Sequence, residues 1–113
     1  MKIVKESIEI SELKEMMARM SGVFVKAVVD IEKEIMAVDA ELHADLMEFL
    51  IEKEASEPKN IWGVNIYPEK AGEDFIEFDS MVNIKPGLGN RTRSVDSLQM
   101  QEKIRGIIKK LIP

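Results

Sequence analysis

The stretch KPGLGNRTR, Lys85 to Arg93, gathers two glycines, a proline and three cations in a chain whose formal net charge is −5. Glycines let backbone N–H groups close around an oxyanion, and forked guanidinium donors suit phosphate and carboxylate. Lys85, Asn90, Arg91 and Arg93 are therefore expected contacts for a small anion. The loop is not a nucleoside triphosphate cradle of the GxxxxGK[ST] kind, because Lys85 precedes the glycines instead of following the last of them. The competing reading makes the stretch a pair of turns whose arginines are paired with acids of the chain.

Two further clusters carry chemistry-bearing side chains. In DAELHAD, Asp39, Glu41, His43 and Asp45 alternate, which on a strand would give one face a metal-ligand set. The apolar period through Leu42, Leu46, Phe49 and Leu50 is helical, however, and on a helix side chains two apart diverge by about 200°. The four-ligand reading fails there. Asp39 is expected to cap the helix, and His43 lies at the edge of the buried stripe, open to a role as base or ligand contact. The acids Glu77 and Asp79 emerge together on one side of FIEFDSMVNI if it is a strand, with Asn83 further along the same side. Paired carboxylates are the expected place for a hard divalent cation, although acids alternating with apolar residues also describe any half-exposed strand.

The elements that must position these residues follow from periodicity. Leu13, Met16, Met17 and Met20 mark a first helix between Ser11 and Gly22. VFVKAVVDI and EIMAVDA read as a hairpin, apolar on both sides and so expected to be well covered. A second helix runs from Glu41 to the Ser56–Pro58 region. IWGVNIYP and DFIEFDSMVNI read as a second strand pair, one face of it wet. The third helix is the clearest, with Asp96 and Gln99 as capping box, Val95 and Met100 as staple, and Ile104, Ile107, Ile108 and Leu111 as buried stripe. The order α-β-β-α-β-β-α predicts an α+β fold in two layers, with three helices against a mainly antiparallel sheet of about four strands, forming one domain over residues 1–113.

Composition narrows the function classes. Without cysteine and with one histidine the 113 residues hold no disulfide, no thiolate nucleophile and no two-histidine metal motif. No apolar run spans a membrane, and acids interrupt the N-terminus where a signal peptide needs a continuous apolar stretch, so the expected location is cytoplasmic. Residues 1–57 carry 14 acids against 7 bases, residues 58–113 only 7 against 9. That leaves no sustained basic face for general nucleic-acid binding. No cofactor is implied.

The strings VKAVVDIEKEIMAV, ELHAD, WGVNIYP, FIEFDSMVNIKP and GNRTR resemble, over nearly the full length, a family of small prokaryotic proteins known only as a domain of unknown function. The resemblance implies an intact domain and brings no activity, cofactor or residue role with it. The expectation from the residues is a small domain whose 85–93 loop and open sheet face receive a small phosphate or carboxylate ligand, with His43 and Asn83 contributing. Catalysis there would be hydrolysis or transfer on such a substrate, with a cation at Glu77 and Asp79. The alternative is an interaction module without ligand or catalysis, for which homo-oligomers are allowed.

Overall fold

β2 (Val25–Asp30) and β3 (Ile35–Val38) form the expected hairpin, closed by an Asx turn in which the Asp30 carboxylate accepts from the Glu32 and Lys33 N–H groups. The computed structural model describes residues 1–113. Around the hairpin lies a five-stranded antiparallel sheet in the order β1-β3-β2-β4-β5, with β1 at Lys2–Val4, β4 at Ile61–Ile66 and β5 at Ile76–Glu77. The additional edge strand β1 pairs Lys2 to Val4 with Val38 to Met36. Three residues are too few to show a period, which is why about four strands were expected and five are found.

The helices are α1 (Ile10–Arg19), α2 (His43–Glu54) and α3 (Leu98–Leu111). Alternation along the strands splits the core in two. Val25, Ala27 and Val29 of β2, Met36 and Val38 of β3, and Trp62, Val64 and Ile66 of β4 pack with α1 and α3. Val28, Ile35, Ala37 and Ile61 point the other way and pack with Leu46 and Leu50 of α2. The expected two layers are therefore three, with the sheet in the middle. The cause is in the hairpin itself, since strands apolar on both sides bury both only when both faces are covered.

Helix ends differ locally from the expected caps. Ser97, not Asp96, caps α3, its hydroxyl accepting from the Met100 N–H, while Asp96 takes the Thr92 hydroxyl at 2.6 Å. Glu9, not Ser11, stands at the cap of α1, and Gly22 closes that helix at φ +79° with its N–H on the Met17 carbonyl. Asp39 does not cap α2; it lies at φ 75° with its carboxylate 3.4 Å from Arg19, and Leu42 occupies the cap position, exposed. The stripe of α2 is consequently His43, Leu46 and Leu50, so the histidine is a member of the buried row.

Candidate functional site

β5 stops at Glu77, and from there the chain folds over β4. The alternation expected through FIEFDSMVNI therefore breaks off. Ser80 drops onto β4 at Gly63, so close that a Cβ on residue 63 would sit 2.6 Å from the Ser80 side chain. Only glycine permits that approach. A glycine inside an otherwise apolar strand run was the sequence signal for it.

Asn83 then takes the place of the missing strand. Its Oδ1 accepts from the Gly63 N–H at 2.8 Å, and its Nδ2 donates to the Gly63 carbonyl at 2.9 Å and to the Arg93 carbonyl at 3.0 Å. The side-chain amide thus makes the two hydrogen bonds that a neighbouring strand residue makes in a ladder. Asn90 ties the next turn. Its Nδ2 donates to the Asn83 and Ser94 carbonyls, and its Oδ1 accepts from the Asp96 N–H at the entrance to α3.

The loop between them is closed on itself. Lys85 and Asn90 exchange both backbone hydrogen bonds, Pro86–Leu88 forms one 3₁₀ turn, and Gly89 at φ +82° completes the reversal. The amides of Leu88, Gly89 and Asn90 are all bonded to carbonyls of the same loop. The Lys85 ammonium donates to the Pro58 and Val82 carbonyls and lies 5.2 Å from the centre of the Trp62 ring. Burial pushes its pKa down. Of the loop cations, Arg93 donates to Asp79 at 2.7 Å, and Arg91 is exposed.

The sheet face expected to be open is roofed. α2 covers it over β2 and β3, the Ser80–Ser94 segment covers β4, and every residue of β4 is buried. The wet face is corrected accordingly, because the acids that suggested it lie at and beyond the end of β5.

Those acids are already partnered. The Glu77 carboxylate accepts from Asn65 Nδ2 at 2.8 Å and from the Tyr67 hydroxyl at 2.9 Å, and Asp79 holds Arg93. Burial, and then the hydrogen bond to Glu77, raise the Tyr67 pKa. No three His, Asp or Glu side chains come together as a metal-binding group. His43 points its Nε2 at the Val64 carbonyl, 2.8 Å away, which fixes the proton on Nε2 and leaves the Nδ1 lone pair free in the neutral ring. Burial lowers the His43 pKa, the Val64 hydrogen bond opposes that, and the charges of Lys26, Asp79 and Arg93 act on the ring. The structure thus sets His43 against the Val64 carbonyl and, separately, knots Lys85, Asn83 and Asn90 together. It does not make one cavity of the two groups.

The outward side of the knot was not expected. Asn83 is 0% and Asn90 5% exposed, while Met81 is 65%, Leu88 56% and Ile84 38% exposed. Met81, Ile84 and Leu88, with Met47 and Pro58, line a hollow of about 500 Å³ whose only charged residues are Lys59 and Lys85. The model of the family described as "Protein of unknown function (DUF5674)" matches residues 2–111 of the chain. The chain belongs to that family. No curated protein and no solved structure matches it. The arrangement in this DUF5674 chain therefore has to be read from its own geometry. That geometry is an inverted segment, polar within and apolar without.

Proposed function

We propose that this domain is a protein-interaction module whose contact surface is the apolar outer side of the Met81–Leu88 segment. One observation carries the reading: amides occupy the interior of the segment and large apolar side chains its exterior. Scattered exposed apolar residues are ordinary, but buried polar groups beneath a contiguous apolar patch are what a recognition surface looks like. Holding Met81, Ile84 and Leu88 in a loop locked by Asn83, Asn90 and Lys85 removes the ordering cost that a mobile loop incurs on binding. The charged residues of the hollow are Lys59, in an exposed pair with Glu57 at 3.3 Å, and Lys85, on the Pro58 and Val82 carbonyls, so the occupant that fits is a partner segment of apolar anchors with acidic residues at its margin. A second copy fits less well, because each would set its lysines against the other's and both carry a net charge of −5. The proposed setting is the cytoplasm, in keeping with a chain without cysteine.

A peptide-display selection against the immobilised chain, counter-selected with the Met81→Lys/Leu88→Lys double variant, tests this. Sequences joining apolar and acidic residues should be enriched on the wild type alone. Equal enrichment on both proteins, or enrichment of basic sequences, would contradict the proposal. Light scattering should show a monomer at every concentration.

A second reading, a small phosphate or carboxylate bound at the loop, is favoured by Arg91, which is exposed and makes no ion pair within the chain. Phosphate titration should then move the backbone amides of residues 87–93, and a flat response removes that reading.

A further inference from the structure

Trp62 runs from β4 beneath the Lys85–Asn90 loop, 4% exposed, and its indole N–H has no acceptor. A buried donor left unpaired costs the fold the desolvation of that group, and indole N–H groups inside proteins ordinarily find a partner. The same side chain lines a cleft of about 520 Å³, within the range of small-molecule sites. Leu88, Val95 and Met100 make its apolar wall, and Asn90, Asp96 and Ser97 its polar edge.

The polar edge is mostly committed. Asn90 is saturated by the carbonyls and N–H it ties, the Ser97 hydroxyl accepts from Met100, and Asp96 accepts from Thr92. What the cleft offers is one buried donor without a partner, in apolar surroundings, with the Ser97 O–H also free to donate at the exposed edge, an acid beside it and no cation in the lining. An anion would meet Asp96, while the nearby cation, Lys85 over the Trp62 ring, already donates to the Pro58 and Val82 carbonyls. An uncharged acceptor oxygen meets no such penalty.

We propose that this cleft binds a small apolar molecule bearing a ketone, ester or amide carbonyl, the oxygen accepting from Trp62 Nε1–H and the hydrocarbon body lying against Leu88, Val95 and Met100. Because the indole nitrogen is sealed from solvent, entry turns the Leu88 or Met100 side chain aside. Leu88 is exposed and Met100 half-buried, so neither is locked by packing on all sides. Leu88 also lines the outer hollow, whereas Met81 lines only that hollow, so variants separate this site from the partner surface.

Trp62 is the only tryptophan, so its single indole cross-peak reports this cleft alone. Cyclohexanone titrated into the ¹⁵N-labelled full chain should move that cross-peak downfield and saturably. Methylenecyclohexane, of the same shape without the acceptor, should bind roughly fivefold to tenfold more weakly. Cyclohexanecarboxylate should be weaker still. Trp62→Phe, followed by ligand-observed NMR, should bring the ketone down to the hydrocarbon's affinity, and Met81→Lys should leave ketone binding unchanged. An indole cross-peak that never moves saturably, equal affinities for ketone and hydrocarbon, or tightest binding by the carboxylate would each overturn the proposal. If Trp62→Phe does not fold, the three-ligand comparison on the wild type decides alone.

Discussion

Over the β2–β3 hairpin, α2 closes the sheet with Leu46 and Leu50 against Val28, Ile35 and Ala37; over β4 the same face is closed at Gly63 by Ser80 and Val82, held there by the Asn83 amide along the strand's edge and, one turn on, by that of Asn90. The first cover is non-directional. It needs volume and apolar area, and it leaves polar residues such as Asp45 and Glu48 to face water. The second is directional. Each amide must meet named backbone groups, and once those are met the segment's apolar side chains have no inward place left. Met81, Ile84 and Leu88 are outside because Ser80, Asn83 and Asn90 are inside.

Asn83→Leu should have the largest effect. It would leave Gly63 N–H, Gly63 C=O and the Arg93 carbonyl buried without their partner, at about 3–5 kcal/mol, as large as a Leu50→Ala cavity under α2. Denaturant unfolding of both variants measures this, and a loss below about 1 kcal/mol for Asn83→Leu would make the amide cover incidental.

Gly63→Ala comes next. The added Cβ would sit 2.6 Å from Ser80 and 2.9 Å from Val82. Overpacking of this kind costs about 1–3 kcal/mol, and Ser80→Gly in the same chain should recover part of it.

The pH response of the apolar half comes third. His43 is held neutral, with its pKa below the ordinary value of 6.5. As pH falls, the unfolded chain takes up that proton before the fold does. Stability is therefore complete above about 6.5 and declines from there towards the folded-state pKa, no more steeply than about 1.4 kcal/mol per pH unit. His43→Gln, which keeps a donor for the Val64 carbonyl, should remove that slope in thermal melts run across the window.

Leu88→Ser should have the smallest effect, within about 0.5 kcal/mol in stability, because the residue is already 56% exposed. Retained stability with lost peptide capture separates a contact surface from a structural one.

What the sequence made legible follows the same division. The stripe Ile104, Ile107, Ile108 and Leu111 and the two-sided hairpin could be read directly, because apolar packing writes its period into the chain. The amide cover writes no period. FIEFDSMVNI alternates as a strand does, yet its strand ends at Glu77, and only Gly63, on a different element, hints at what lies above it. His43 was displaced from the buried row because Leu42 invited the helix to be phased one residue early, and Leu42 is exposed at the cap. The loop cations suggested a ligand because charge is visible in a sequence. That Lys85 spends its donors on Pro58 and Val82, and Arg93 on Asp79, depends on contacts 27, 3 and 14 residues apart.

The central claim is that the Met81–Leu88 segment is a surface held in place before any partner arrives. Backbone ¹⁵N relaxation of the free chain tests it most directly. Order parameters near 0.85 at Met81, Ile84 and Leu88, as rigid as ordinary backbone in β4, are what the account predicts, and values below about 0.6 at those residues would contradict it.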